Sequence, residues 1–256
     1  MTAALIPPTL PPGSRQAADD FHRRTSLLAP GPLALPNSLG PLLRDGPIWP
    51  LPALRLARGM SLEQAITERR TRRDFDASAG LRLAQLARLL VFSLGRTSAT
   101  QPGEWAPASG HRAVPSAGAS YTVDAWVIAQ HISGLPPGIY AYDSLAHALV
   151  QRRIGQLGPT LTAWTMDQPW MLGAAAVFVL VGDMGRVAPR YASRGYRYML
   201  FEAGHIAQNL CLLGTAHGLC VQATGGFADA AFDSLLGLQT DAASLYLVAL
   251  GPGLPG

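Results

Sequence analysis

Residues 190–227 read RYASRGYRYMLFEAGHIAQNLCLLGTAHGLCVQATGGF and carry the clearest helix signal in the chain. No proline occurs between Arg194 and His217, and the next residue is Gly218, the type best suited to the left-handed turn that ends a helix. Apolar or small residues recur at the spacing of one helix face: Met199, Ala203, Ile206, Ala207, Leu210, Leu213 and Gly214. Much of the opposite face is apolar too, and Gly204 and Gly214 would allow close backbone approach. The pattern predicts a buried central helix, in a large core or against a copy of itself.

The composition excludes several classes of function. The 256 residues include 20 basic and 16 acidic residues, and every basic residue is arginine. No lysine is therefore available as a base or phosphate ligand, and the mild net charge of +4 argues against nucleic acid as a partner. Cys211 and Cys220 lie in apolar stretches without further ligands at metal-binding spacing, so we expect free thiols in a reducing cytoplasm and no metal site. No signal peptide or bilayer-length apolar run is evident, which predicts a soluble cytoplasmic protein without membrane contacts.

Proline content divides the chain into two parts. Residues 1–58 hold 11 of the 21 prolines and show little periodicity, so we expect an extended N-terminal arm. Residues 59–256 contain the periodic segments and form the predicted main domain. The connection at 96–114, which includes Trp105, is long enough to indicate a functional loop, and we expect it and the arm to face the substrate.

The main domain alternates helical and strand patterns. Ser61 caps a first helix whose predicted buried residues are Leu62, Ala65 and Ile66, and a second helix spans about 81–94. Further strands and helices are predicted at 122–130, 139–143, 148–152, 156–166 (helix), 174–181, 229–236 (helix) and 244–250. Helices grouped around a mostly antiparallel sheet make the expected fold class α+β.

Residues 69–73 (RRTRR) are the first of four segments that suggest an anion and cofactor site. Four guanidinium groups in five residues repel one another unless an anion lies among them, and arginine binds phosphate through a bidentate fork. The alternative is a solvated helix end whose cations offset the helix dipole.

The other three segments offer small residues or a phenol. Residues 115–120 (PSAGAS) and 223–227 (ATGGF) let a backbone approach a ring or phosphate, although either could be an ordinary loop. Arg190 and Tyr191 precede the central helix, where a phenol beside cations could exchange a proton or simply anchor the helix. His205 lacks an evident acidic partner, and we expect it to be a core or interface residue.

Several phrases in one order resemble the nitroreductase superfamily, and specifically its SagB/ThcOx-type branch, the azoline dehydrogenases. They are RRTRRDF at 69–75, PSAGAS at 115–120, PPGIYAYD at 136–143, RYASRGYRYMLFEAGHIAQNL at 190–210 and GGF at 225–227. DFHRRTS at 20–26 is similar to the Tyr-His-x-x-Thr phrase of that branch. The resemblance covers about residues 20–251.

The resemblance implies a nitroreductase-like α+β fold, with a mostly antiparallel sheet flanked by helices and the long central helix at a homodimer interface. It also implies an FMN flavoenzyme of natural product biosynthesis. In the matching segments, Arg69, Thr71 and Arg73 would hold the flavin phosphate, and the 115–119 segment would line the ring. The full set of candidate cofactor-binding residues is Arg69, Arg70, Thr71, Arg73, Pro115, Ser116, Ala117, Gly118, Ala119, Gly225 and Gly226.

The branch oxidises thiazoline or oxazoline rings to thiazole or oxazole, passing two electrons to FMN, which O₂ can reoxidise. The implied substrate is a small molecule, or an intermediate attached to a peptide or carrier protein. The implied catalytic residues are Arg190 and Tyr191, at a position where the branch has lysine followed by tyrosine. Arginine stays protonated in proteins and is a poor base. Tyr191 would have to accept the proton as a phenolate, a form that Arg190 and Arg194 would favour.

Two other functions stay open at this point. The first is an NAD(P)H-dependent flavin reductase that acts on nitro or quinone compounds. The second is a catalytically reduced scaffold subunit of a peptide-modifying complex, which the missing lysine would suit.

Overall fold

The computed structural model describes residues 14–24, 45–54, 59–97, 111–166 and 168–254. Within these ranges the helices are α1 (Ser14–Arg24), α2 (Leu62–Glu68), α3 (Leu83–Leu94), α4 (Gly158–Trp164), α5 (Met184–Tyr191), α6 (Arg194–Ala216) and α7 (Asp229–Leu236). The strands are β1 (Ile48–Pro50), β2 (Leu81–Arg82), β3 (Val123–Ala129), β4 (Ile132–Ser133), β5 (Gly138–Asp143), β6 (Ala148–Ile154), β7 (Ala176–Asp183), β8 (Cys220–Thr224) and β9 (Ala242–Gly251).

Seven strands form one sheet in the order β1-β6-β5-β3-β7-β9-β8. Every neighbouring pair in this sheet is antiparallel. The short strands β2 and β4 form a separate parallel pair. The prediction of an α+β fold with a mostly antiparallel sheet is therefore confirmed.

Both faces of the sheet are covered, which explains why the central strands read as unbroken apolar runs. Along β3, Val127 belongs to the apolar cluster that includes α3 and α6, whereas Ile128 belongs to the cluster that includes α4 and α7. The same alternation occurs in β7, where Phe178 faces the first cluster and Val179 the second. Alternate side chains of a strand point to opposite faces, so helices on both sides leave no polar face.

The central helix α6 was predicted almost to the residue, and Gly218 adopts the expected left-handed backbone with φ 68°. Gly214 is needed for packing, because a Cβ atom there would lie 2.2 Å from Cγ2 of Val221. Gly204 differs, since a Cβ atom there would meet nothing within 4 Å. The close approach predicted at Gly204 is therefore not made by the described part of this chain.

None of the helices in the described ranges is long and apolar enough to cross a bilayer.

The structure departs from the sequence-based predictions in three places. Part of the arm predicted to be extended is helix α1, and β1 pairs with β6, so the sheet begins before residue 59. Helix α5 was missed because it contains Pro189 and because its N-cap, Asp183, is the last residue of β7. On α2, Leu62 and Ile66 were predicted to be buried but are exposed, since this seven-residue helix buries Ala65 alone. Most of the 96–114 loop, including Trp105, lies outside the described residues.

Candidate active site

The segment before β3 has an unusual backbone. It contains one 3₁₀ turn, Ala117–Ala119, and positive φ angles at Gly118 (55°), Ala119 (54°) and Tyr121 (47°). For residues with a Cβ atom this conformation costs about 1–3 kcal/mol and persists where surrounding contacts impose it. We call residues 115–121 the site loop. Its strain marks it as a candidate for function.

Glu202 on α6 is hydrogen-bonded to the site loop and to the start of β3. Its carboxylate is almost completely buried, and its Oε2 accepts a hydrogen bond from Oγ of Ser116 at 2.6 Å. Backbone N–H groups of Thr122 and Val123 donate to the same carboxylate at 3.3 and 3.0 Å. Ser116 also accepts a hydrogen bond from the N–H of Tyr121 at 2.8 Å. These contacts join the two ends of the loop to the central helix.

A network of buried ion pairs also holds the C-terminal end of the site loop, at Tyr121. Asp124 on β3 accepts hydrogen bonds from Arg112 at 3.0 Å and from Arg186 at 2.5 Å. Arg186 also donates to the carbonyl of Tyr121 at 2.9 Å, and its Nε pairs with Asp183 at 2.9 Å. Burial alone would raise the pKa of Asp124, but attraction to Arg186 and Arg112 outweighs it and holds that pKa below its ordinary value.

The two candidate catalytic residues contact the site loop directly. Both belong to the last turn of α5, and Nη1 of Arg190 donates to the carbonyl of Gly118 at 3.0 Å. A Cβ atom on Gly118 would lie 2.5 Å from the Tyr191 hydroxyl oxygen, so the loop can approach the phenol this closely only with glycine at position 118. In the described part of the chain, Nε of Arg190 is buried without a partner. The predicted proximity of this pair to the PSAGAS segment is thus observed.

Aromatic and cationic side chains continue from Tyr191 along α6. The rings of Tyr191 and Tyr198 meet edge to face, 4.9 Å between centroids, and Arg194 donates to the Tyr198 hydroxyl at 2.9 Å. Next to them is a cavity of about 240 Å³, whose lining residues are Pro115, Ser116, Ala117, Tyr198, Phe201, Glu202 and His205. His205 is exposed on this helix and is not in the core. The site loop therefore forms one wall of an open cavity.

The arginine segment lies elsewhere. It follows α2, and the N–H of Arg72 donates to the carbonyl of Val221 on β8. Nη1 of Arg70 turns back to the carbonyls of Thr67 and Arg69, at 2.8 and 2.9 Å. Thr71 and Arg73 are exposed, with no side-chain hydrogen bond within the ranges the structure describes. Of the four guanidinium groups, only that of Arg70 has such a bond within these ranges, so those of Arg69, Arg72 and Arg73 are available to an anion.

The glycine pair follows β8. A Cβ atom on Gly225 would meet nothing within 4 Å, so the backbone there is open. The N–H of Gly226 donates to Oγ1 of Thr224 at 3.0 Å, and Met166 and Gln168 lie close to it. Because β8 also carries Val221, the glycine pair and the arginine segment adjoin the two ends of the same edge strand.

The predicted site residues fall into two groups along α6. The site loop, Arg190 and Tyr191 contact its N-terminal half around Glu202. The arginine segment adjoins its C-terminal half, because Arg69 lies close enough to Cys211 to oppose the rise in pKa that burial gives this thiol. At 1.5 Å per residue, about 14 Å of helix separates Glu202 from Cys211. Within the described residues, no side-chain hydrogen bond or ion pair joins the two groups.

Sequence reasoning missed the groups that hold the loop. Glu202 sits between Met199, Ala203 and Ile206 on the buried face of α6, and a single carboxylate on such a face needs partners. That signal was available. Arg112, Asp124 and Arg186 carried no comparable signal, since their pairing joins positions 62 and 12 residues apart.

Three comparisons bear on this site. Residues 66–252 match the sequence model of the family described as "Nitroreductase family". MJ1384 of Methanocaldococcus jannaschii, a nitroreductase by name, is 30% identical over 170 residues, 66% of this chain and 81% of that protein. TfxC, a trifolitoxin operon protein of Rhizobium leguminosarum bv. trifolii, is 29% identical over 118 residues, 46% of this chain and 33% of TfxC.

Solved structures share the fold. A nitroreductase-type protein of Anabaena variabilis has a TM-score of 0.73 at 23% identity, and the match covers 92% of this chain and 47% of that one. The E. coli microcin synthetase McbBCD complex with truncated pro-MccB17 bound has a TM-score of 0.62 at 20% identity, covering 96% and 95%. A protein of Exiguobacterium sibiricum in complex with FMN has a TM-score of 0.54 at 14% identity, covering 78% and 91%. The chain spans about half of the Anabaena protein and a third of TfxC.

The ion network at the loop predicts a dependence of stability on acid. Because the pKa of Asp124 is lowered in the folded state, its stabilising contribution is complete above the unfolded value of about 3.9 and is lost as the pH falls below it. Asp124→Asn should lower the free energy of unfolding by about 3–5 kcal/mol at pH 7, since it removes the ion pair of buried Arg112 and one of the two ion pairs of Arg186. It should also flatten the acid dependence.

Urea unfolding from pH 7 to pH 3 measures both effects. The matched control is Asp229→Asn, which removes an exposed carboxylate from the first turn of α7. Equal acid slopes for wild type and Asp124→Asn would contradict the assignment.

Proposed function

Because this chain belongs to the nitroreductase family of oxidoreductases, we propose that it is an FMN-dependent oxidoreductase. The observation that carries the proposal is the site loop, fixed by Glu202 and Arg190 as one wall of an open cavity of about 240 Å³. The family membership supports FMN as cofactor. When bound, FMN accepts two electrons from one substrate and passes them to another.

The residues present fit this cofactor. Arg69, Thr71 and Arg73 would hold its phosphate, because these side chains make no hydrogen bonds within the described residues and arginine suits a bidentate phosphate contact. The 115–119 segment would line the ring, and Gly225, whose backbone is open, would face the ring edge together with Gly226. The buried, unpartnered Nε of Arg190 is a further donor beside the loop.

We propose that one complete site needs two copies of the chain. The residues proposed to hold the phosphate and those proposed to line the ring contact α6 about 14 Å apart along its axis, so we expect each site to take its phosphate ligands from one copy and its ring-lining residues from the other. The outward face of α6 suits such a contact: Phe201 is 55% and Leu200 40% exposed, and Gly204 leaves room for a neighbouring backbone. Apolar residues of this size on a helix surface commonly mark an interface.

We propose that the substrate is a thiazoline- or oxazoline-like ring in a biosynthetic intermediate attached to a peptide or carrier. In this reaction one ring carbon loses a proton to a base and the adjacent carbon gives a hydride to the cofactor, which leaves a carbon–carbon double bond; O₂ then takes the two electrons. Tyr191 would accept the proton, and Arg190 would hold the loop and stabilise the phenolate. Similarity to TfxC and to a chain of the microcin synthetase complex supports a role in peptide modification.

A second candidate is reduction of nitro or quinone compounds with NAD(P)H. It is favoured by similarity to MJ1384 and by Arg190, which cannot serve as a base. A purified protein that is reduced by NAD(P)H, but not by a thiazoline-containing peptide under anaerobic conditions, would support this candidate over the first.

The arginine segment can be tested by FMN binding. Arg69→Ala and Arg73→Ala should each weaken binding by about 1–3 kcal/mol, the range for a hydrogen bond to a charged group. Arg70→Ala is the matched control, because Arg70 already donates to carbonyls at the C-terminal end of α2 and its loss should matter less.

Fluorescence titration of apoprotein with FMN gives these affinities, and the visible spectrum of the purified protein shows whether flavin is retained. Wild-type affinity in both Arg69→Ala and Arg73→Ala would remove the phosphate assignment.

Tyr191→Phe should retain FMN and slow the proton-dependent step by about 10²–10⁴-fold, the usual contribution of a general base. The measurement is anaerobic stopped-flow bleaching of the flavin with a thiazoline-containing peptide. Tyr198→Phe, which removes the neighbouring hydroxyl, is the control. A wild-type rate in Tyr191→Phe would exclude this residue as the base.

Shared sites predict complementation between two defective copies. Arg73→Ala damages the phosphate half, and Gly118→Ala damages the ring half, since its Cβ atom would lie 2.1 Å from Arg190. In a mixed dimer, one site combines the damaged phosphate half of one copy with the damaged ring half of the other. The second site combines the two intact halves. Co-expression with two different tags should therefore yield mixed dimers with one site of wild-type FMN affinity, whereas sites built within one chain would leave both sites weakened.

A further inference from the structure

We propose that Glu202 is a positioning residue whose buried negative charge holds the site loop and lowers the reduction potential of bound FMN. The inference rests on the proposed function. It concerns a group that the proton and hydride steps do not use.

The contacts of Glu202 suit a carboxylate. Each of its hydrogen-bond partners is a donor: the hydroxyls of Ser116 and Thr122, and the N–H groups of Thr122 and Val123. The 2.6 Å contact with Ser116 has the length typical of a charge-assisted O–H···O⁻ bond. A protonated acid could donate its hydrogen only to one of the two hydroxyls, and it would accept the two N–H bonds more weakly than a carboxylate does.

This carboxylate differs from the other buried carboxylate of the site. Asp124 is neutralised by Arg112 and Arg186, within 3.0 Å. Within the ranges described, no arginine or histidine nitrogen forms an ion pair with Glu202. The hydrogen bonds that it accepts among the described residues come from neutral groups, and in an interior of low dielectric constant such a charge acts over several ångströms.

The charge lies at the cavity wall. Glu202 lines the cavity together with Pro115, Ser116 and Ala117, the residues proposed to line the flavin ring. Two-electron reduction makes the ring more negative, so a fixed negative charge at this wall disfavours the reduced form. A lower potential would favour transfer of electrons from the flavin to O₂.

Glu202→Gln separates charge from shape. It keeps the size of the side chain and removes the charge, while its amide NH₂ replaces one acceptor. Thr122→Val is the matched control, because it removes a hydroxyl hydrogen bond to the same carboxylate, keeps the charge and lies outside the segment proposed to line the ring. A merely structural role predicts similar effects for both variants.

The potential of the bound FMN is measured by equilibration with a reference dye during slow reduction. In Glu202→Gln the affinity for reduced FMN relative to oxidised FMN should rise about tenfold, which equals ~30 mV for a two-electron couple. In Thr122→Val this ratio should change less than twofold. An unchanged potential in Glu202→Gln, or an equal shift in both variants, would overturn the role of the charge.

Loop positioning has a readout that does not need FMN. Hydrogen exchange of the Thr122 and Val123 amides in apoprotein should become at least tenfold faster in Glu202→Ala, with Glu202→Asp in between. Unchanged exchange would overturn the positioning role. Failure of the proposed function is distinguishable, because wild-type protein would then take up no FMN while the exchange result would stand.

Discussion

Two guanidinium groups bind the carboxylate of Asp124 at the start of β3, and much of the site depends on this buried contact. Arg186 belongs to α5, so the pair fixes the helix against the strand, and the same arginine binds the carbonyl of Tyr121 in the strained loop. One turn later, α5 presents Arg190 and Tyr191 to that loop. A buried ion pair need not stabilise a fold on balance. Here the ion pair between Arg186 and Asp124 fixes the position of α5 relative to β3.

The elements with strong local signals were predictable. The central helix, α3 and the central strands followed from apolar period, glycine stops and β-branched runs, all of which are properties of neighbouring residues. Helix α5 was missed because its proline and arginines conceal the pattern and its cap, Asp183, ends a strand. The error at Leu62 and Ile66 has another cause: apolar spacing shows which face is hydrophobic, but does not show whether this chain covers it.

The candidate site was predictable in its residue types and not in its arrangement. The arginine cluster, PSAGAS and the double glycine were recognisable as segments, and the meeting of Arg190 with Gly118 joins positions 72 residues apart. Sequence could not show that these segments divide into two groups along α6. Nor could it show that Arg70 donates back to a carbonyl of α2, whereas Thr71 and Arg73 make no side-chain hydrogen bond within the described residues. Such facts depend on packing between remote elements.

The position of β9 affects how the protein can be made. This strand follows all the others in sequence, yet it lies between β7 and β8 in the sheet. Until residues 242–251 leave the ribosome, β7 has one unpaired edge and β8 has no strand to pair with. Unpaired edges invite association with other chains, and long-range antiparallel pairing forms slowly. The nascent chain therefore exposes an open sheet edge until its last strand has been made, and this interval is when association with other chains is most favoured.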